Sequence, residues 1–464
     1  MTSDIDRLLN LASEQLPDTL ARLKDFIAFE SISTDPSHKA DMQACCEWLV
    51  REFEALGMEA SVRQTTGHPI VIAHDRTAAA DAPHILYYGH YDVQPPAPLE
   101  EWRTPPFTMV IEDGPHGKRI VARGTSDDKG NMMTWVEALR IWKAEHGSLP
   151  ARVSIIVEGE EEILSPSLLG FLKENREELS ADACMISDTL SLAPDHPALT
   201  ISMRGLLHAE ITVTGPSCDL HSGSYGGVVV NPIHVLSRMI AGLHDADGRV
   251  TIPGFYDDVE EPPAEVLKFF DELNFDLDGF LGSVGLRGEH GEANRSAEER
   301  MWTRPCCDIN GIWGGFIGEG RKTVIPSTAH AKLSCRLVPG QTADKVIAGI
   351  REYFAAATPA DVEVKIDYFG GTPAVRVPHD DRYVMAARRA LKRVFARDAG
   401  LKGGGGTLPL ISDFKAELGL DCILMGFGMP DDLVHAPNEK FDLVCLEAGI
   451  HSHLVFLDEL VSLR

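Results

Sequence analysis

The spacing of apolar positions along this chain changes twice. Over residues 39–56 (KADMQACCEWLVREFEAL) apolar side chains recur at helical intervals and stop at Gly57, so the pattern predicts a helix that ends there. Short β-branched and aromatic runs follow: VIAHD at 71–75, ILYY at 85–88, VSIIV at 153–157 and ACMIS at 183–187, with helical stretches such as 130–146 between them. Continuous apolar strands alternating with helices predict a mostly parallel, helix-covered sheet. From about Leu206 the texture differs. HAEITVTG (208–215) and HAKLSCRLV (330–338) alternate apolar and polar residues, as antiparallel strands with one wet face do. Two helical segments, 230–243 and 342–357, lie in the same region. From about Pro373 the first texture returns, with a helix over 380–396, a strand CILM at 422–425 and a last helix near 440–462. The expected fold is therefore α/β: a helix-covered, mostly parallel sheet domain in two parts, 1–205 and 372–464. A smaller two-layer α+β domain, 206–371, is inserted between them. The four glycines at 403–406 read as a flexible loop.

Bulk properties narrow this picture. A chain of 464 residues is too long for one compact core. A formal net charge of -27 argues against nucleic acid or an anionic membrane as partner, since like charge repels both. No apolar run approaches a membrane span, and the first twenty residues lack the basic start and apolar stretch of a secretory signal. Nine cysteines, none in a C-x-x-C pair, read as reduced core residues of a cytoplasmic protein and not as zinc ligands.

Candidate chemistry gathers where apolar runs end. ILYYGHYD places His90 and Asp92 just past a predicted strand, the edge at which open α/β sheets bind ligands. ARGTSDDKGN places Asp127 and Asp128 before a helix. VSIIVEGEEEILS brings Glu158, Glu160, Glu161 and Glu162 after a strand; ACMISDTL ends on Asp188, and CILMGFGMPDDLVHAPNEKF leads to His435. Each alone has an ordinary structural reading: a helix cap, a solvated acidic face, a turn. All five stations follow predicted sheet strands, however, so the fold itself would gather them. Two histidines with several carboxylates suit zinc, manganese or cobalt without a thiolate. A carboxylate in excess of the ligands would serve as base for the water.

With these segments in place, the sequence resembles the metallopeptidases of family M20: carnosinase-like dipeptidases, aminoacylases, carboxypeptidase G and succinyl-diaminopimelate desuccinylase. The matching motifs are GHYDVQPP, ARGTSDDKG, EGEEEILS, ISDT, DLHSGSYGG, INGIWGGFIGEGRKTVIPSTA, CRLVPGQ and VHAPNEKF, spread over nearly the whole chain, and the dipeptidase branch is the nearest in kind. The resemblance implies two divalent metal ions per chain, zinc first, with manganese or cobalt as alternatives. His90, Asp127 and Asp188 would hold one, and Asp127, Glu162 and His435 the other, with Asp127 bridging through a segment that often carries a cis peptide. Asp92 would orient the His90 imidazole, and Glu161 would be the general base. His221 would reach across a homodimer to the oxyanion, Arg336 would hold the substrate carboxylate, and Thr323 and Thr407 would line the pocket. The implied reaction is hydrolysis of dipeptides or short peptides with a free C-terminal carboxylate. The alternative is amide hydrolysis of N-acyl or N-carbamoyl amino acids. A silent binding or assembly protein is disfavoured because Glu161, which is no ligand, is retained. The chain departs from the family in two places: Leu164 stands where EExGS has glycine, and Gly403 and Gly404 stand where dipeptidases have Arg-Glu.

Overall fold

The computed structural model describes residues 4–273 and 275–463, the Ser283 side chain excepted. The chain divides into two compact units. Unit 1 comprises Met1–Ile201, Val377–Lys402 and Pro409–Arg464; unit 2 comprises Ser202–Arg376 and Gly403–Leu408.

In unit 1 the predicted periodicities become elements. The helix Lys39–Ala55 turns Met42, Cys45, Cys46, Leu49 and Phe53 inward, and Gly57 after it adopts φ 71°, a left-handed turn that favours glycine. The helix Lys129–His146 stops in the same way at Gly147. The large sheet runs in the order Glu59–Arg63, Ile70–Asp75, Arg152–Glu158, His84–His90, Ala183–Ile186, Cys422–Leu424, Ala198–Met203. Its four central strands, from Arg152–Glu158 to Cys422–Leu424, are mutually parallel, and the strands outside them are antiparallel. Those four are almost wholly buried, which is why they read as continuous apolar runs.

Two expectations need correction. Asp127 does not follow a strand of the large sheet. The strand before it, Gly117–Val121, is a polar hairpin strand in a separate three-stranded sheet with Val110–Gly114 and Lys440–Asp442. The expected final helix accordingly opens as that third strand and becomes helical only over Leu443–Val461. The glycine run is not simply a loop either. Gly403 and Gly404 end the strand Gly400–Gly404, and a Cβ at Gly403 would lie 2.6 Å from the Trp302 backbone oxygen. Close packing, not freedom, requires glycine there.

Unit 2 holds a four-stranded antiparallel sheet in the order Cys306–Gly314, Thr328–Leu337, Gly205–Thr214, Glu363–Thr372. Alternate residues of the two central strands are buried, among them Leu207, Ile211, Val213, Ala331, Leu333 and Leu337. The helices Pro232–Ala241 and Ala343–Ala357 bury Leu236, Met239, Ile350 and Phe354 in the same core. Among the described residues no helix is long and apolar enough to cross a membrane.

Candidate metal centre

The strand His84–His90 delivers a fully buried imidazole. Gly89 before it is forced by packing, because a Cβ there would sit 2.5 Å from Met132 Cγ. His90 Nδ1 lies 3.0 Å from the main-chain oxygen of Asp92 and 3.4 Å from its Oδ1. That contact makes Nδ1 the N–H and leaves the Nε2 lone pair free, the tautomer a metal ligand needs. Nε2 is buried without a hydrogen bond, 3.0 Å from Asp127 Oδ1 and 3.8 Å from Asp188 Oδ2. The Asp92 carboxylate does something the sequence did not suggest. It accepts the backbone N–H groups of Glu161 (3.2 Å) and Glu162 (3.1 Å), tying the acidic turn to the histidine strand.

On the other side of Asp127, His435 Nε2 lies 2.9 Å from Oδ2 and 3.1 Å from Glu162 Oε2. Asp127 therefore turns one oxygen to each histidine. Within each of the triads His90–Asp127–Asp188 and Asp127–Glu162–His435, ligand atoms lie within 4.8 Å of one another. The Asp127–Asp128 peptide is cis. Fixed backbone surrounds the bridge. Glu439, fully buried, accepts the N–H groups of Ser126 (2.9 Å) and Asp127 (3.1 Å) on one oxygen, and that of Gly124 with Arg123 Nη1 on the other. Gln94 grips Glu162, donating its backbone N–H to Oε1 (3.2 Å) and its amide to Oε2 (2.8 Å).

The charges are unbalanced as they stand. Burial, then the neighbouring Asp127, pushes the Asp188 carboxyl up to about 7. Burial, with the carboxylates of Asp188, Asp127 and Glu162, holds Glu161 well above the usual range. Contacts with Asp127 and Glu162 raise His435 to about 10. Burial opposes a charged His90, but Asp127 and Asp92 outweigh it and push this imidazole well up. Converging carboxylates that draw protons onto both histidines are a site short of positive charge. A buried, unbonded imidazole nitrogen aimed at two carboxylates and a donor set of nitrogen and carboxylate oxygen fit two divalent cations of the zinc or manganese kind.

Around the ligands the backbone is unusual. Leu164 caps the turn Glu161–Ile163 at φ 70° and ψ 30°, and Leu433 begins the turn that presents His435 at φ 55°. Left-handed backbone costs a leucine about 1–2 kcal/mol relative to its ordinary conformation. This is why glycine suits the position of Leu164.

The remaining predicted residues lie in unit 2. His221 is exposed; its Nδ1 accepts the Gly223 N–H at 3.0 Å, and its strand pairs with Val324–Ile325, beside exposed Thr323. Arg336 Nη1 donates to Thr407 Oγ1 at 2.9 Å, and Thr407 donates to the Arg204 carbonyl at 2.6 Å. Sequence reasoning missed Arg204, whose guanidinium meets Gly405 and Cys306 and, among the described residues, no carboxylate, and whose pKa burial and Arg336 lower. It also missed Gln94 and Glu439, although both sit inside quoted motifs; the burial that marks Glu439 is not read from the sequence.

Residues 86–459 match the sequence model of Peptidase family M20/M25/M40. The chain is 28% identical over 479 residues to the Cys-Gly metallodipeptidase dug1 of Schizosaccharomyces pombe, covering 100% of this chain and 99% of that protein. It is 27% identical over 455 residues to the Beta-Ala-His dipeptidase of Rattus norvegicus, with coverage of 94% and 92%. Among solved structures, the M20 family metallo-carboxypeptidase Sso-CP2 of Sulfolobus solfataricus matches with a TM-score of 0.80 at 30% identity, covering 96% of this chain and 99% of that one.

Proposed function

Because the chain belongs to Peptidase family M20/M25/M40, we propose that it hydrolyses the amide bond of dipeptides and short peptides with a free C-terminal carboxylate, using two divalent cations. The observation that carries this reading is the position of Asp127, shared by two ligand triads with Glu161 one residue from the ligand Glu162. His90, Asp127 and Asp188 would hold one cation, and Asp127, Glu162 and His435 the other; zinc is the first choice, manganese and cobalt the alternatives. Bound cations supply Lewis acidity, polarising the scissile carbonyl and making water more acidic. Glu161, beside the ligand Glu162 but itself outside both triads, takes the proton of the attacking water and passes it to the leaving amine. Arg336, half-buried and without a carboxylate partner among the described residues, binds the substrate carboxylate, with Arg204 adding positive charge and Thr407 fixing the guanidinium.

A homodimer formed by unit 2 is part of the proposal. The strand Cys306–Gly314 is an edge strand, and exposed Ile312, Trp313, Phe316 and Ile317 on and after it suit burial against a second copy. His221 and Thr323 of one copy then serve the other copy's site. The nine unpaired cysteines favour a cytoplasmic setting.

One observation keeps a second reading open. The expected Arg-Glu is replaced by glycines whose Cβ positions are taken by Trp302 and Met203, so the chain lacks that acid for a substrate's free amino group. The decisive assay reconstitutes metal-free protein with zinc, manganese or cobalt. It then compares Cys-Gly and β-Ala-His, suggested by the relatives, with N-acetyl and N-carbamoyl amino acids. Metal-dependent release of amino acids from the dipeptides supports the main reading. Turnover confined to the N-acyl or N-carbamoyl series replaces it with the second, and no turnover on either overturns both.

A further inference from the structure

Three large apolar side chains stand exposed two residues along the chain from three different candidate ligands of the metal centre. Leu164 follows Glu162 by two residues and is 77% exposed, Leu433 precedes His435 by two and is 50% exposed, and Leu190 follows Asp188 by two and is 37% exposed. Their positions are fixed. Leu164 N donates to the Glu161 carbonyl at 2.9 Å, Ala436 N donates to the Leu433 carbonyl at 2.9 Å, and Leu190 forms a parallel bridge with Gly428. A Cβ on Gly428 would lie 3.0 Å from Leu190 Cδ2 and 2.8 Å from Ser126 Oγ, so Leu190 lies beside the segment that ends in Asp127. Two of the three also occupy left-handed backbone, where glycine or asparagine is at ease and leucine is not. Exposed leucines at such positions gain neither burial nor backbone comfort within the chain.

We propose that Leu164, Leu190 and Leu433 form an apolar rim that takes the side chain on the acyl side of the scissile bond and selects substrates whose first residue is apolar. The inference rests on the hydrolase reading and deepens it. With cations held by Glu162, Asp188 and His435, the attacked carbonyl would lie against them. The group attached to that carbonyl would begin one bond away, near these loops. An apolar acyl-side group covers the leucines on binding, and its discrimination from a polar one is worth roughly tenfold or more in kcat/KM.

The test uses the metal-loaded protein and the double variant Leu164→Gly with Leu433→Asn, residues that the left-handed positions accept without added strain. Turnover of Leu-Gly is compared with Ser-Gly, and of N-isocaproyl with N-acetyl amino acids. In parallel, calorimetry measures binding of 4-methylpentanohydroxamate against acetohydroxamate, chelators whose alkyl chain replaces the acyl-side group. The unaltered protein is expected to favour the larger apolar group by roughly tenfold in each pair, and the double variant by no more than about twofold at unchanged metal content. Equal preference in the two proteins, or no preference in the unaltered one, overturns the rim. If every peptide and N-acyl substrate is inert, the hydrolase reading fails instead, and the hydroxamate ratio still decides whether the rim exists.

Discussion

The candidate metal-ligand cluster of unit 1 and the polar groups of unit 2 are built by opposite means. Three of the candidate ligands in unit 1 are held by neighbouring groups: His90 by Asp92, Glu162 by half-buried Gln94, and the backbone of Asp127 by buried Glu439. In unit 2, among the described residues, the exposed His221 side chain makes a local hydrogen bond to Gly223, and Arg336 has a hydroxyl for partner and no acid. A centre that gathers carboxylates must be over-determined, because without cations the groups repel one another. Groups that wait for a substrate are left uncompensated, so that the substrate supplies the missing charge or hydrogen bond. Substitutions should therefore separate into those that damage the framework and those that damage only turnover.

The largest effect expected is at Glu161. Glu161→Gln should lower kcat by about 10²–10⁴, the range for a general base, while elemental analysis still finds a full complement of cations. Loss of a cation from this variant would make Glu161 a ligand and remove its distinction from Glu162. Next comes the framework. Glu439→Ala leaves Arg123 buried and unpaired and frees three backbone N–H groups, so chemical denaturation should show about 3–5 kcal/mol less stability. A loss below about 1 kcal/mol would mean that the buried pair does not hold the bridge.

His221→Ala should behave in the reverse manner, with a rate lower by about 10²–10³ and stability within about 0.5 kcal/mol of the parent. Exchange between His221→Ala and Glu161→Ala dimers should restore part of the activity, because one site of the mixed dimer draws both groups from intact copies. Confirmed exchange with no activity would confine His221 to its own chain. The smallest effect is expected at Gln94, where Gln94→Ala should weaken cation binding by about 10–100-fold, read by competition with a chelator.

How much of this was legible in the sequence follows from what carries each contact. The parallel strands and their covering helices were visible because burial on both faces leaves long apolar runs, as in Arg152–Glu158. His90, Glu162, Asp188 and His435 stood out as ligand-type residues after apolar runs, Asp127 as one of two acids before a helix, and the roles expected of all five came from the family resemblance. Gln94 and Glu439 were not legible because they act largely on main-chain N–H groups or on another ligand's carboxylate, which leave no mark on the partner residue's identity. Asp127 was assigned to the wrong sheet because GKRIV is a polar hairpin strand, and its pairing with Lys440–Asp442 joins segments more than 300 residues apart. The glycines at 403 and 404 looked free because nothing local announces Trp302 or Met203.

The central claim is that Asp127 joins two cation sites into one centre. Equilibrium dialysis of metal-free protein against zinc, followed by elemental analysis, tests it directly. Two ions per chain are expected in the unaltered protein and in Glu161→Gln, and fewer than one tightly held ion in Asp127→Ala, since both sites lose a ligand together. Two tightly bound ions in Asp127→Ala would contradict the shared bridge on which the account rests.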